Sequence, residues 1–222
     1  MTARFHDRRE AGQALADLLR AYAHDPQLLV LGLPRGGVPV AAEVAEALHA
    51  PLDVFVVRKL GVPGHEEYAM GAIASGGIRV LNHEVIRQLH LPIDAVEHVE
   101  RSERLELARR ELLYRGDRPA PALAGATVVL VDDGLATGST MLAAIAAVRT
   151  QHPARIIVAV PVASVEACDA VRRQADACVC AFTPDPFYGV GMWYQTFEQT
   201  TDGEVQRLLA ARAAPDPVVV DH

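Results

Sequence analysis

The chain has 222 residues, 50% of them hydrophobic, and its formal net charge is −7. This length suits one domain with its own core, and the negative charge gives no reason to expect nucleic acid as a partner. No apolar run is long enough for a membrane and residues 1–10 carry no targeting signal, so the sequence predicts a cytoplasmic protein. Three cysteines without metal-ligand spacing argue against a zinc site.

Predicted strands and helices alternate along most of the chain. Asp7 and Glu10 have the spacing of a capping box before an amphipathic helix at residues 11–23. The patterning then predicts strands at 28–33, 52–57, 70–75, 78–81, 127–131, 155–160 and 177–182, with helices in the longer intervals. Such alternation predicts an α/β fold, a mainly parallel sheet flanked by helices, with ligands at the carboxyl ends of its strands.

Two segments depart from the alternation. We expect one domain over residues 1–222, with a helical insertion at about 82–116 and a small, aromatic, hood-like C-terminal cap at about 183–212, followed by a loose tail at 213–222. Oppositely charged residues in the insertion recur at i,i+4, which favours a solvated helix. A binding role for its arginines is the alternative.

The residues from Val128 to Met141 carry the most specific chemistry. Asp132 and Asp133 follow an apolar strand, and a turn of small residues then opens a helix. A helix N-terminus offers N–H groups and partial positive charge to a phosphate, whereas two acids suit hydroxyl donors such as a vicinal diol. A Walker loop is excluded because Ser139 stands where its lysine belongs. The sequence favours a sugar phosphate ligand; an ordinary acid-capped strand-turn-helix is the alternative.

This segment, VVLVDDGLATGSTM, resembles the loop that binds 5-phosphoribosyl 1-pyrophosphate (PRPP) in the type I phosphoribosyltransferases. The resemblance implies that Asp132 and Asp133 are catalytic, holding the ribose hydroxyls and favouring a developing ribosyl cation. It also implies that the 5-phosphate lies against Ala136, Thr137, Gly138, Ser139 and Thr140.

A second loop, Pro34, Arg35, Gly36 and Gly37, follows an earlier strand. Its glycines allow backbone amides to approach an anion closely, and Arg35 supplies a planar donor fork. In the family this is the pyrophosphate loop, where a cis peptide often occurs; here the bond would be Pro34–Arg35. A simple turn between strand and helix is the alternative.

Arg58 and Lys59 end the next predicted strand, a placement similar to the Arg-Lys pair of adenine phosphoribosyltransferases. The resemblance places them on the departing diphosphate. The stretch 61–67 is expected to be a mobile loop that closes as a lid, with Gly61 and Gly64 absorbing backbone rotation. Glu67 resembles the glutamate that handles the proton of the base in that subfamily; an ordinary solvated acid is the alternative.

The nature of the acceptor is less constrained. Ala136 stands where six-oxopurine enzymes carry an aspartate, which argues against hypoxanthine or guanine as the acceptor. Phe187, Tyr188 and Trp193 are candidates for a wall on which a planar base stacks. The same side chains could equally pack the C-terminal segment onto the sheet.

The resemblance implies a pentosyltransferase that moves the phosphoribosyl group of PRPP to a nitrogen nucleophile and releases pyrophosphate. Mg²⁺ is the expected cofactor, held mainly by substrate oxygens and water rather than by dedicated protein ligands. A homodimer is expected by analogy. The main alternative is a PRPP-sensing regulator on the same fold, although no basic surface or DNA-binding module is evident. A nucleotide-dependent hydrolase is disfavoured by the missing Walker lysine.

Overall fold

The computed structural model describes residues 5–211, apart from the side chain of Glu67. The predicted tail at 213–222 lies outside these residues. The strands are β1 (Leu28–Gly32), β2 (Leu52–Val54), β3 (Val57–Val62), β4 (His65–Ala74), β5 (Ile78–Leu81), β6 (Thr127–Val131), β7 (Arg155–Val162) and β8 (Ala177–Phe182). The α-helices are α1 (Arg8–Leu18), α2 (Gly37–Leu48), α3 (His83–Gln88), α4 (Ile93–Arg115), α5 (Ser139–Arg149), α6 (Val165–Arg172) and α7 (Asp202–Ala210).

A five-stranded parallel sheet in the order β2-β1-β6-β7-β8 forms the centre of the protein. Its strands β1 and β6 are buried along their whole length, because apolar residues alternate between two core clusters. Val129 and Val131 face the cluster that includes Leu15 of α1, whereas Val128 and Leu130 face the cluster that includes Met141 of α5. The predicted α/β fold with a parallel sheet is confirmed.

The second sheet is antiparallel, in the order β3-β4-β5. The sequence prediction was wrong here in two respects, since the expected strand at 52–57 is divided between β2 and β3, and the expected loop at 61–67 is part of a hairpin. Val62 pairs with His65 across a turn of only two residues. A Cβ at Gly61 would lie 2.7 Å from the carbonyl oxygen of Glu66, so this glycine permits close strand pairing. Closure of the hairpin as a lid stays a prediction.

The inserted helices α3 and α4 pack beside the hairpin. Arg115 at the end of α4 is buried and donates to Asp53 at 3.1 Å and to the Val54 carbonyl at 2.6 Å. Tyr114 donates to Asp202 at the start of α7, at 2.6 Å. Because these contacts join α4 to β2 and to α7, the helix is fixed against the body of the protein. Among residues 5–211, no helix combines the length and apolar character needed to cross a membrane.

The N-terminal and C-terminal segments are held together. Phe5 forms an isolated parallel bridge with Tyr194, just after a 3-10 helix at Val190–Trp193. The following residues enter α1, whose N-cap Asp7 accepts from the amides of Arg9 and Glu10. Glu10 accepts in turn from the amide of His6, so the predicted capping arrangement is present with its return bond displaced by one residue. Both segments therefore lie beside the carboxyl edge of the sheet.

Candidate active site

The two loops identified in the sequence meet at the carboxyl edge of the parallel sheet. Strands β1 and β6 are neighbours in register, with Gly32 beside Val131. A Cβ at Gly37 would lie 2.6 Å from the carbonyl oxygen of Val131, and a Cβ at Gly36 would overlap the carboxylate of Asp133. Only glycine allows this approach. The Pro34–Arg35 peptide bond is cis, as the resemblance implied.

The loop after β6 forms a small pocket at the N-terminus of α5. Gly138 caps the helix in the left-handed conformation, with φ of 72°. The hydroxyls of Thr137 and Ser139 lie 3.1 Å apart at its mouth. The pocket has a volume of about 210 Å³ and is lined by Asp132, Val190 and residues 134–141, which include all five predicted phosphate contacts. A helix N-terminus within a pocket of this size suits a phosphate group.

The two acids of this loop differ in their surroundings. Burial, followed by the negative charge of Asp133, raises the pKa of Asp132 well above its usual value. One carboxylate oxygen of Asp132 accepts from the backbone amide of Asp133 at 2.9 Å. Asp133 instead forms an ion pair with Arg8, whose Nη2 lies 2.8 Å from its Oδ2. Both acids are half-buried, and the cation lies beside Asp133.

Sequence reasoning did not identify Arg8 or Tyr194 as site residues. Arg8 lies in the first turn of α1, and Tyr194 donates from its hydroxyl to the carbonyl oxygen of Asp133 at 2.6 Å. A possible signal for Arg8 was its placement, because a cation at a helix N-terminus is unfavourable towards the helix dipole unless it has another partner.

A larger cleft borders Pro34 of the second loop. Its volume is about 610 Å³, and Arg58 and Lys59 of the hairpin contribute to its wall. Helix α4 supplies the opposite wall, and Arg58 pairs with Glu103 of that helix at 2.6 Å. Thr140 lines both this cleft and the phosphate pocket, so the two spaces border the same residue. The remaining side chains of the α4 wall are His98, Val99, Ser102 and Arg110.

Arg35 lies apart from the cleft lining, with its Nη1 3.7 Å from Asp202 of α7 and 35% of its side chain exposed. The predicted role of Glu67 falls on a side chain outside those described. Like the other predicted roles at this site, these two assignments stay predictions.

The three aromatic candidates for a base wall have different environments. Trp193 stacks on Phe182 with ring centroids 6.0 Å apart, which is a packing contact. Tyr188 is 82% exposed and Phe187 is half-buried. Val190 covers Gly134, since a Cβ there would lie 2.6 Å from a valine methyl group. The residue of this segment that borders the phosphate pocket is therefore Val190.

Within residues 5–211, no group of three or more His, Cys, Asp or Glu side chains has a geometry that could hold a metal ion. A divalent cation that enters with a diphosphate would take most of its ligands from the substrate and from water, a coordination that Mg²⁺ accepts.

Comparison with known proteins agrees with this geometry. The family model for the phosphoribosyl transferase domain matches residues 64–186. Rv0571c of Mycobacterium tuberculosis, whose name gives it provisionally as a phosphoribosyl transferase, is 45% identical. The match covers 98% of this chain and 52% of that protein, so the chain spans about half the length of this curated relative.

The crystal structure of TT1426 from Thermus thermophilus is 44% identical in sequence and has a TM-score of 0.87. The match covers 95% of this chain and 100% of that one, so the likeness extends over the parallel sheet, the hairpin and the inserted helices together. The matched domain and the 45% identity to Rv0571c, together with the paired loops at the sheet edge, show that the chain belongs to the type I phosphoribosyltransferase family.

Proposed function

We propose that the protein transfers the 5-phosphoribosyl group of PRPP to a nitrogenous base or a similar nitrogen nucleophile. The observation that carries this proposal is that the phosphate pocket and the larger cleft meet at one residue near the sheet edge. The phosphate pocket has Asp132 in its lining and meets, at Thr140, a cleft lined by Arg58, Lys59 and Arg110 as well as by Glu66 and Glu103. PRPP has a 5-phosphate, a diol and a diphosphate in one molecule.

In the proposed complex, the 5-phosphate binds at the N-terminus of α5 and accepts from the backbone amides of residues 136–140. Asp132 and Asp133 accept from the ribose hydroxyls. The diphosphate lies against the loop of Pro34, Arg35, Gly36 and Gly37 and extends towards Arg58 and Lys59. The cleft lining of Pro34, Arg58 and Lys59 supports this placement.

The reaction is a displacement at the anomeric carbon. The bond from this carbon to the diphosphate oxygen breaks, with its electron pair leaving on pyrophosphate, and a bond to the acceptor nitrogen forms. Negative charge on the acid pair favours the positive charge that develops on the sugar, and the cations of the cleft favour the departing anion. The acceptor nitrogen then loses its proton to a base, for which Glu67 is the candidate. Bound Mg²⁺ would supply charge neutralisation on the diphosphate.

The decisive experiment incubates the protein with PRPP, Mg²⁺ and a panel of bases and measures the release of pyrophosphate. We expect release that depends on one class of base and is lost in the double variant Asp132→Asn/Asp133→Asn. Asp169→Asn is a matched control, because Asp169 is an exposed acid on α6 that pairs only locally with Arg172. Binding of PRPP without release for any acceptor would favour the sensor instead.

We also propose a homodimer by analogy with the family. Sedimentation velocity of the purified protein tests this part independently of activity, and a single species with the mass of one chain would contradict it.

A further inference from the structure

Arg8 occupies an unusual position for an arginine in the first turn of a helix. Its side chain is only 13% exposed, whereas that of Arg9, its neighbour in the same turn, is 74% exposed. Enclosing a guanidinium costs free energy unless its donors are paired, and the positive end of the helix dipole adds to the cost. The contacts that Arg8 makes must offset both.

These contacts converge on the second acid of the sugar site. Nε of Arg8 donates to Oδ2 of Asp133 at 2.9 Å, and Nη2 lies 2.8 Å from the same oxygen. The third nitrogen, Nη1, donates to the carbonyl of Glu198 at 2.7 Å. The guanidinium also lies over the ring of Phe197, 4.0 Å from its centroid, a distance suited to a cation–π contact.

Asp133 is restrained by two further neighbours. The hydroxyl of Tyr194 donates to its backbone carbonyl at 2.6 Å, and Gly36 of the second loop lies directly against its carboxylate. Helix α1, the C-terminal segment and the Pro34 loop thus all meet at one acid. Because both nitrogens of Arg8 that reach Asp133 bind Oδ2, Oδ1 is the oxygen through which Asp133 would accept from a sugar hydroxyl.

We propose that Arg8 is a positioning residue for ribose recognition, which fixes the carboxylate of Asp133 and joins residues 194–198 to it. This inference rests on the proposed function. It assigns Arg8 no contact with the substrate. Its positive charge also counters the repulsion between the two neighbouring acids, and among the influences on Asp132 it is one that lowers the pKa.

The test compares ligands that share a phosphate and differ in the diol. Ribose 5-phosphate should use both the phosphate pocket and the acid pair, whereas inorganic phosphate should use the pocket alone. We expect Arg8→Gln to weaken ribose 5-phosphate binding about 10- to 100-fold, as small displacements of a positioned group do, and to leave phosphate binding unchanged. Arg8→Lys should recover part of the affinity, because an ammonium still pairs with Oδ2.

The matched control is Arg9→Gln, which removes an exposed cation from the same turn and should bind both ligands as the wild type does. Affinities are measured by calorimetry below the unfolding temperature of each variant. Equal ribose 5-phosphate affinity in wild type and Arg8→Gln would overturn the inference. Parallel loss of both ligands would also overturn it, since that indicates general damage to the site.

Tyr194→Phe provides a second variant in case Arg8→Gln does not fold. It keeps the ring and removes only the donation to the Asp133 carbonyl, so a smaller loss of ribose 5-phosphate affinity is expected, and an unchanged affinity would count against the inference. A wild type that binds neither PRPP nor ribose 5-phosphate would contradict the proposed function itself. If the wild type binds ribose 5-phosphate and Arg8→Gln binds it equally well, only the positioning role of Arg8 is contradicted.

Discussion

The phosphate pocket and the larger cleft share Thr140 in their linings but are built differently. The pocket, of about 210 Å³, is formed mainly by one continuous loop of small residues and its acid. The cleft, of about 610 Å³, is assembled from the Pro34 loop, the hairpin, α4 and α5, and its walls carry charged side chains. When one group of the pocket loop is lost, no neighbouring group can replace it. When one cation of the cleft is lost, the remaining cations can still attract the diphosphate.

This difference predicts unequal losses of activity. Asp132→Asn should lower kcat/KM for PRPP about 100- to 1,000-fold, a loss typical of removing one preorganised electrostatic group, whereas Arg58→Gln should lower it only about tenfold. Both values come from pyrophosphate release at saturating acceptor. Equal losses of kcat/KM in the two variants would show that the cleft tolerates the loss of one charged residue no better than the pocket does.

The contact between the Pro34 loop and the end of β6, beside the pocket, is tested by Gly37→Ala. The new methyl group would collide with the Val131 carbonyl, so we expect the free energy of unfolding in urea to fall by about 1–3 kcal/mol, as overpacking does. Gly203→Ala is the control, since its methyl group would meet only a flexible arginine end at 3.7 Å within α7. That change should stabilise the protein by about 0.5–1 kcal/mol. Stabilisation by Gly37→Ala would indicate that the Pro34 loop lies farther from the Val131 carbonyl than the structure places it.

The raised pKa of Asp132, a half-buried acid in the lining of the pocket, also predicts a pH dependence of stability. The pKa of Asp132 is raised by folding from 3.8, so its contribution to stability is complete below that pH and is lost as the pH rises through the folded pKa. Asp132→Asn should therefore resist urea better than the wild type at neutral pH, and its advantage should shrink as the pH falls toward 3.8. A constant advantage would mean that Asp132 ionises normally.

The smallest expected effect concerns the ion pair across the cleft. Glu103→Gln removes one negative charge from beside Arg58, and pyrophosphate should then bind about threefold more tightly, the scale of a partly exposed ion pair. Glu97→Gln, an exposed acid of the same helix, should leave pyrophosphate affinity unchanged. Weaker pyrophosphate binding in Glu103→Gln would show that Glu103 orients Arg58 rather than competing with pyrophosphate for it.

The parts of the site that the sequence predicts are those whose residues lie close together in the chain. Asp132 and residues 136–140 are adjacent in the chain, and one strand-turn-helix brings them together, so the sequence alone marks them. Arg8 and Asp133 are separated by 125 positions and Tyr194 by 61 from that acid. No local pattern links residues that only tertiary packing brings into contact.

The fold shows a similar limit. Continuous apolar runs at 28–33 and 127–131 correctly predicted the strands β1 and β6, because full burial needs apolar residues at every position. In the hairpin, the glycines of the sequence were compatible with either a mobile loop or close strand pairing. Gly61 and Gly64 suggested a mobile loop, yet the first allows a close strand contact and the second, with φ of 77°, forms a tight turn. The same residue type serves flexibility or compactness, and only its partners distinguish the two.

The chain contains a single tryptophan, Trp193, and its neighbour Tyr194 is bonded to the backbone of Asp133. Indole emission from this protein therefore comes from one known place, one residue away from a group tied to the acid pair. Any sugar phosphate that shifts that hydrogen bond would alter the local polarity around the indole. The native chain thus carries its own optical reporter, suitable for rapid-mixing kinetics without a label.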